Sequence, residues 1–416
     1  MCETFYHNLS NGVQIVHRQV PSPVVYVGIM VGVGTRHEMP EHNGMAHYVE
    51  HCVFKGTEHF SSRQIIRHME DIGGEINAYT TKEETTFYAA TLRQHFRTTL
   101  HLLADMVLRP TFPKKETSKE LTVILDEIES YNDSPSELIY DDFESFLFDG
   151  SPLAMPVLGT RKSLRKLSSS PKHALDWMSK HYRPERMVLF VYGNISTKQV
   201  LNAAEREFSQ LPSSHPSATE ALKTSDIPTT NQTTNNTRIF RRHTHQTHVI
   251  LGSRAYALGN KNQLPMYLIN NILGGGSLSS RLNLSLREKH GLVYTVESQT
   301  TPLSDTGYWS IYLACEPQYK NQCIELCHEE LKKLREVRLT SAQFNRALRQ
   351  LKGQMAIAAE NQENNALAMA KQMLYYHHSP LWQETFAKLQ ELTPSQLQGV
   401  ANEVYQEDNL HTLMYD

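Results

Sequence analysis

A polar segment near the middle of the chain sets the limits on its fold. Residues 211–237 read LPSSHPSATEALKTSDIPTTNQTTNNT, in which Ser, Thr, Asn and Pro dominate and no apolar periodicity remains. A segment with so few apolar residues cannot bury enough surface to offset the entropy lost on ordering. We therefore predict a linker here, which divides the 416 residues into the domains 1–210 and 238–416.

The two halves carry the same kinds of element in the same order. Each begins with β-rich sequence, continues through an apolar helix and alternating strand patterns to long helices, and closes on a short helix and a strand. This order predicts an α+β fold of two similar domains, each an antiparallel sheet covered by helices. Two unrelated α+β domains are the alternative, because the identities between the halves are weak. The main predicted helices are 44–54, 96–108, 115–131, 266–273, 321–337 and 341–360.

The composition excludes several classes of function. The formal net charge is -3, with 39% hydrophobic and 20% charged residues, so no basic surface for nucleic acid or an anionic membrane is indicated. No apolar run approaches the roughly 18 residues of a membrane span, and the N-terminus lacks the features of a secretory signal. The odd count of five cysteines fits a reducing compartment, and Cys323 and Cys327 are predicted to pack in a core. We expect a cytoplasmic protein.

The strongest chemical signal lies in residues 44–57, which read GMAHYVEHCVFKGT. Residues four apart lie on one face of a helix, so His47 and His51 can reach one metal ion. Glu50 can place its carboxylate beside the same ion, which gives the order of an inverzincin motif. The alternative is a surface helix with three solvated polar side chains. The apolar residues of the adjoining face, which argue against that alternative, are Ala46, Val49, Val53 and Phe54.

The third metal ligand must come from elsewhere in the chain. A catalytic zinc site keeps three protein ligands and one open position for water. The acidic helical segment 115–133 offers Glu127, although spacing alone does not choose it over Asp126 or Glu129. Glu120 lies two turns before Glu127 on the same face, where a carboxylate can orient a ligand histidine.

These residue types predict a metal-dependent hydrolase. Two neutral imidazoles and one carboxylate leave Zn²⁺ with a net positive charge, which lowers the pKa of a bound water. Glu50 can then take a proton as the water attacks a carbonyl, and pass it to the leaving amine. We expect one Zn²⁺ per chain, although manganese or cobalt fit the same ligands.

Beyond this motif the chain resembles the pitrilysin-like zinc peptidases, especially their short two-domain members related to mitochondrial processing peptidase. The resemblance extends nearly from end to end and implies a zinc metalloendopeptidase whose two domains form half of a clamshell. The segments that carry it are LSNGVQIV, GTRHEMPEHNGMAHYVEHCVFKGT, GGEINAYTTKEETTFYA, ELTVILDEIESYNDSP, YRPERMVLFVYGN and GGGSLSSRLNLSLREKHGLVYTV.

The resemblance assigns roles to the motif residues by position. It implies that His47, His51 and Glu127 are the metal ligands and that Glu50 is the catalytic base. Glu120 matches a further glutamate of the family's acidic segment.

The resemblance also implies residues that contact substrate. One strand matches the edge strand on which the family holds the substrate backbone by strand addition. Arg287 and Tyr294 match a paired arginine and tyrosine that contact the scissile region, where they can stabilise a developing oxyanion. The residues of the substrate strand are Asn77, Ala78, Tyr79 and Thr80.

The second half lacks the metal motif and reads MYLINNILGGG where the repeat would place it. We therefore expect a catalytically silent copy that supplies the Arg/Tyr pair. In the family, two such two-domain units face each other, and some members are heterodimers that divide the two residue sets between different chains. Both sets are present here, so we expect a homodimer with active sites completed in trans and a chamber that admits peptides or unfolded segments.

Three other functions compete with this prediction. The chain could be a non-catalytic structural or partner subunit of a processing peptidase or respiratory-type complex, but its complete motif argues against this. It could bind metal without hydrolysis, but a purely structural zinc site needs no adjacent base. A precursor-processing enzyme of narrow specificity is not separated by sequence from a general oligopeptidase.

Overall fold

The computed structural model describes residues 4–212, 236–242 and 244–416. All but the ends of the predicted linker 211–237 lie outside these described residues. The described chain divides into two compact units, each built around one β-sheet.

The first unit contains a six-stranded sheet. In chain order its strands are β1 (Thr4–Asn8), β2 (Gln14–Arg18), β3 (Val24–Val31), β4 (Glu75–Thr80), β5 (Thr85–Leu92) and β6 (Met187–Tyr192). Their order across the sheet is β1-β2-β6-β3-β5-β4, so β4 is an edge strand. The inner strand β3 reads VVYVGIMV, a continuous apolar run that suits a strand covered on both faces.

The second unit contains a five-stranded sheet. Its strands are β7 (Thr237–Phe240), β8 (Thr247–Ala255), β9 (Val293–Pro302), β10 (Gly307–Cys315) and β11 (His411–Tyr415). Their order is β7-β11-β8-β10-β9, so β9 is the edge strand that corresponds to β4.

The two sheets share one topology. The order β2-β6-β3-β5-β4 in the first sheet is matched strand for strand by β7-β11-β8-β10-β9 in the second. The predicted α+β class and the similarity of the two sheets are therefore confirmed. The expectation of purely antiparallel sheets needs one correction, because β2 pairs with β6, and β7 with β11, in parallel. In each unit helices separate these two strands along the chain, which permits the crossover that a parallel pair requires.

The described residues form fourteen α-helices, and the six main helices predicted from sequence agree with them to within three residues at each end. The helices are α1 (Met45–Cys52), α2 (Ser62–Glu70), α3 (Phe96–Leu108), α4 (Lys114–Asn132), α5 (Pro135–Leu147), α6 (Arg161–Leu167), α7 (Pro171–His181), α8 (Thr197–Phe208), α9 (Gln263–Gly274), α10 (Lys320–Glu336), α11 (Ser341–Ala358), α12 (Gln362–Tyr376), α13 (Trp382–Gln390) and α14 (Pro394–Val404).

Each unit includes one helix from the other half of the sequence. Helix α12 packs on β2, β3 and β6 of the first sheet, where Met369 and Met373 belong to the same buried apolar cluster as Met30 and Phe190. Helix α5 packs on β8 and β11 of the second sheet. The predicted domains divide the chain at the linker, whereas each compact unit contains residues from both sides of it. Both faces of each sheet are apolar and are buried by helices, one of which comes from the other half of the sequence.

The remaining helices complete the two apolar cores. In the first unit α1 and α3 pack against the sheet, and in the second α9 and α10 do so. Cys323 and Cys327 lie fully buried in the second core, as the sequence predicted. Within the described ranges, none of the helices combines the length and apolarity that crossing a bilayer would demand.

Candidate metal centre

Helix α1 places the predicted metal motif in a buried position. All eight of its residues are buried except His51, which is partly exposed. The ring centroids of His47 and His51 lie 4.6 Å apart, as expected for residues one helical turn apart. Since burying polar side chains costs free energy unless they find partners, His47, Glu50 and His51 require polar neighbours here.

Glu127 on α4 is the neighbour of both histidines. Its Oε1 lies 3.7 Å from His47 Nε2, and its Oε2 lies 3.3 Å from His51 Nε2. Each of these three residues offers one possible ligand atom, and the three atoms all lie within 4.8 Å of one another. Among the described residues, the structure therefore gathers His47, His51 and Glu127 into one candidate metal-binding group.

The two alternatives to Glu127 lie elsewhere on α4. Asp126 is exposed, and Glu129 forms an ion pair with Arg161. Neither belongs to the group of donor atoms around the histidines. The helix rotates successive side chains by about 100°, which is why immediate neighbours of Glu127 face away from α1.

Glu120 orients His51 from the side opposite the metal position. Its Oε1 accepts a hydrogen bond from His51 Nδ1 at 2.8 Å, and its Oε2 accepts one from Lys55 Nζ at 2.6 Å. A proton held on Nδ1 leaves the Nε2 lone pair of a neutral ring free for a metal ion. Sequence reasoning missed Lys55, although it lies four residues after His51, a spacing that places two side chains on the same face of a helical segment.

The surroundings set the protonation of these groups in different directions. Burial lowers the pKa of His47 to about 4, so its ring is neutral at neutral pH. Burial also lowers the pKa of His51, but hydrogen bonds to Glu120 and Glu127 outweigh it and raise the pKa to about 9. A metal ion that binds here therefore displaces the proton on His51 Nε2 and leaves the neutral ring. The hydrogen bond from His51 lowers the pKa of Glu127, which is therefore ionised.

The residues present fit a zinc ion. Two imidazole nitrogens and one carboxylate are zinc's usual catalytic donors, and tetrahedral ligands at about 2.0–2.1 Å from zinc lie roughly 3.3–3.4 Å from each other. The observed 3.3 Å between His51 Nε2 and Glu127 Oε2 matches that spacing. Three ligands leave a fourth position open, which is the arrangement of catalytic sites.

Glu50 lies next to this group with a partner of its own. Its side chain is 9% exposed, and its Oε2 accepts a hydrogen bond from Thr80 Oγ1 at 3.0 Å. Burial raises the pKa of Glu50, while His51 and the Thr80 hydroxyl oppose the rise. Thr80 was predicted as a substrate-strand residue, and its contact with Glu50 could not be found from sequence.

The predicted substrate strand is β4, at the edge of the first sheet. Asn77 and Ala78 pair with Tyr88 and Phe87 of β5 on one side, and no described strand pairs with β4 on the other. A free edge is what an added strand requires. Helix α1 contacts β4, so the strand's free edge and the metal motif lie in one unit.

Arg287 and Tyr294 lie together in the second unit. Arg287 belongs to a π-helical segment, Asn283–Lys289, and its Cζ lies 5.8 Å from the centroid of the Tyr294 ring. Tyr294 is the second residue of the edge strand β9 and is 81% exposed. Both side chains line a cavity of about 350 Å³ together with the glycine-rich turn 274–277.

Family models cover most of the chain. The model described as "Insulinase (Peptidase family M16)" matches residues 14–161, which include the metal motif. The model described as "Peptidase M16 inactive domain" matches residues 169–351. The second description agrees with the lack of a His-x-x-Glu-His motif in the second half.

Relatives match over nearly the full length. A Bacillus subtilis protein named "Uncharacterized zinc protease YmxG" is 31% identical over 97% of this chain and 96% of its own length. A Streptomyces coelicolor protein, also named an uncharacterized zinc protease, is 30% identical over 95% of this chain and 86% of its own.

Solved structures share the fold at lower identity. A protease from Helicobacter pylori superposes with a TM-score of 0.87 at 21% identity and covers 100% of both chains. A peptidase M16 inactive domain from Pseudomonas fluorescens superposes with a TM-score of 0.88 at 19% identity, over 99% of this chain and 98% of that one. The resemblance read from the sequence motifs is confirmed at the level of the family, and the chain belongs to peptidase family M16.

Proposed function

We propose that this chain is a zinc-dependent endopeptidase that hydrolyses peptides or unfolded polypeptide segments. The observation that carries the proposal is the meeting of His47, His51 and Glu127 beside the buried carboxylate of Glu50. A site that only stored metal would not need that carboxylate. Relatives named zinc proteases support the same reading.

The three ligand residues would hold the ion with a defined ring orientation. Zinc, when bound, supplies a Lewis acid that polarises the substrate carbonyl and lowers the pKa of a water. The carboxylate of Glu120 holds His51 through Nδ1, and Lys55 holds Glu120 in turn. This chain of contacts fixes the direction of the His51 Nε2 lone pair.

Glu50 would move the proton. Its carboxylate takes a proton from the attacking water and gives it to the nitrogen of the leaving amine. Burial raises the pKa of Glu50, which makes its carboxylate a stronger base towards the attacking water. The Thr80 hydroxyl, bonded to Oε2 at 3.0 Å, holds the carboxylate in place.

The free edge of β4 would hold the substrate as an added strand. Backbone hydrogen bonds supply affinity with little demand on side chains, which fits cleavage of varied unfolded segments. Thr80, the last residue of β4, connects this strand to Glu50 through its hydroxyl. A substrate paired with β4 therefore runs towards the base.

Arg287 and Tyr294 would complete the site of a second copy of the chain. The high exposure of Tyr294 and the open cavity beside it leave both side chains accessible. A guanidinium and a phenol hydroxyl can stabilise the negative oxygen that develops on the attacked carbonyl. We propose a homodimer with two such sites around a closed chamber, in agreement with the commonest oligomer symmetry.

The test is hydrolysis of quenched fluorescent peptides of about 10–20 residues, long enough to add a strand to β4. The wild type is expected to cleave them, to stop after chelation, and to recover when zinc returns. Glu50→Gln should retain zinc and lose about 10²–10⁴-fold in kcat. Glu70→Gln, which removes an exposed carboxylate on α2, is the matched control and should cleave at the wild-type rate.

Two results would overturn the proposal. A wild type that binds no zinc would remove the metal from it. A wild type that binds one zinc per chain but cleaves no peptide, alone or mixed with candidate partner chains, would favour the non-catalytic subunit.

A further inference from the structure

Helix α1 has no cap of its own at its N-terminus. Gly44 occupies the N-cap position with φ 89°, a left-handed conformation, and it has no side chain to accept hydrogen bonds from the first turn. The helix has eight residues, and His47 lies in its first turn. The direction of the His47 ring therefore depends on what else holds that turn.

Glu38 provides the missing cap from outside the helix. Its Oε2 accepts a hydrogen bond from the backbone N–H of Gly44 at 2.7 Å, and its Oε1 accepts one from the backbone N–H of Ala46, also at 2.7 Å. The side chain is 6% exposed. A carboxylate at this end of a helix also interacts favourably with the helix dipole.

A second contact closes the other side of the turn. Asn43 donates from Nδ2 to Glu38 Oε2 at 3.0 Å and to the carbonyl of Pro156 at 2.9 Å. Gly44 packs against Gly159 so closely that a Cβ on Gly44 would lie 2.8 Å from the Cα of Gly159. The first turn of α1 is thus held between Glu38 and the loop 156–159.

The segment that carries Glu38 is also bonded to the turn that follows β4. The N–H groups of Thr35 and Arg36 donate to the carbonyls of Thr81 and Lys82 at 3.2 and 2.9 Å. The Arg36 guanidinium forms a buried ion pair with Glu83. Residues 35–38 therefore connect the end of the proposed substrate strand to the start of the metal-bearing helix.

We infer that Glu38 is a positioning residue that fixes the first turn of α1, and with it His47, relative to β4. It touches neither metal nor substrate, and its effect on catalysis rests on the proposed function of the site. Its effect on the helix does not, because the two backbone hydrogen bonds are made without a metal ion. Buried groups that orient metal ligands typically change metal affinity about 10–100-fold when they are removed.

The experiment compares wild type with Glu38→Ala, Glu38→Gln and the control Asp105→Asn. Glu38→Gln keeps the size of the side chain and one acceptor oxygen, so it should lie between wild type and Glu38→Ala. Asp105 is a fully buried carboxylate of the same unit whose partners are Thr57, His59 and Arg109. Its substitution reports the cost of losing a buried carboxylate away from α1.

Three readouts separate positioning from general stability. In the metal-free protein, amide hydrogen exchange of residues 44–52 should be at least about tenfold faster in Glu38→Ala than in wild type or Asp105→Asn. Zinc affinity, measured against a chromophoric chelator, should fall about tenfold or more in Glu38→Ala, with Glu38→Gln intermediate. In active enzyme, kcat should fall by a similar factor, while KM stays within about twofold.

The inference fails if Glu38→Ala exchanges and binds zinc as wild type does. It also fails if Asp105→Asn reduces zinc affinity to the same extent, since the effect would then be general. A wild type that binds zinc without cleaving peptides overturns the proposed function and leaves the exchange and affinity readouts to decide the role of Glu38.

Discussion

Helix α1 of the first unit and helix α9 of the second follow corresponding strands and contact the corresponding edge strands, β4 and β9. Both are buried helices with polar residues inside. In α1 the side chains of His47 and His51 lie beside the carboxylate of Glu127 on α4, and the three residues supply three possible metal ligands. In α9 the polar residue Asn270 forms a closed set of hydrogen bonds, in which Ser298 donates to its Oδ1 at 2.5 Å and Trp309 Nε1 does so at 3.1 Å.

The difference teaches that topology alone does not carry the chemistry. The same sheet order supports a group of possible metal ligands in the first unit and a set of polar side chains that hydrogen-bond to one another in the second. A satisfied buried network stabilises its surroundings and has no donor left for a ligand. A group of metal ligands must offer its lone pairs to an ion, so its side chains are oriented by further partners, such as Glu120 and Lys55.

The comparison is tested most severely by removing a ligand from α4. Glu127→Gln should weaken zinc binding by more than about 100-fold, beyond the effect of losing an outer partner, because a neutral amide is a poor ligand. Glu129→Gln, two residues along the same helix, is the control and should bind zinc as wild type does. Isothermal titration with Zn²⁺ measures both affinities. Equal zinc affinity in the two variants would show that Glu127 is not a metal ligand.

A smaller loss is expected when the orienting carboxylate is removed. Glu120→Gln keeps an acceptor for His51 Nδ1 but loses the negative charge that pairs with Lys55. Zinc affinity should fall about 10-fold, at the lower end for such partners. Lys55→Met, which leaves the carboxylate unneutralised, should change zinc affinity less than Glu120→Gln does. A larger loss of zinc affinity in Lys55→Met than in Glu120→Gln would mean that Lys55, and not Glu120, sets the orientation of the His51 ring.

The second unit should respond in stability and not in metal binding. Asn270→Ala leaves the buried Ser298 hydroxyl without its acceptor and removes one of two acceptors of the Trp309 N–H, which keeps Ser298 Oγ at 2.8 Å. This loss should cost about 1–3 kcal/mol of unfolding free energy. Urea unfolding measures this cost, and zinc titration of the same protein should match the wild type. A loss of zinc affinity in this variant would contradict the separation of roles between α9 and α1.

At neutral pH the smallest expected effect belongs to His181 in the first unit, and it grows as the pH falls. Burial, with Arg186 nearby, lowers the pKa of His181 to about 3. Between pH 6.5 and 3 the unfolded chain binds a proton at this residue that the folded chain does not, so stability falls as pH falls. His181→Gln removes this uptake and should flatten the fall of unfolding free energy, by up to about 1.4 kcal/mol per pH unit. An unchanged slope would show that other groups dominate acid unfolding.

Much of the site could be predicted because its signals are local. The i, i+4 spacing of His47 and His51 predicts that they share a helix face, and the adjacent apolar residues indicate that the helix is buried. Glu127 could not be separated from Asp126 or Glu129 by spacing, since the rotation of α4 against α1 is set by packing between helices. The capping of α1 by Glu38 was missed for the same reason, because it joins residues across a turn of irregular backbone.

The fold was predictable in its class and its repeat, and less so in its boundaries. Apolar periodicity identifies which face of a helix is buried, but it does not identify the sheet that covers it. The predicted domains therefore place residues 135–147 and 362–376 by chain position alone, while the helices they form, α5 and α12, each pack on the sheet of the other half. The parallel pairs cannot be predicted in this way, because strand direction leaves no trace in the alternation of side chains.

The exchange of α5 and α12 also fixes an order of events during synthesis. The first sheet lacks the cover of one face until residues 359–379 have left the ribosome, when all but the last part of the chain has been made. Domains usually fold from the N-terminus as they emerge. Here a nascent chain exposes the apolar face that α12 later covers, so it needs protection from aggregation through most of translation. A gene split at the linker would yield two polypeptides, each with one bare sheet face, that could become stable only together.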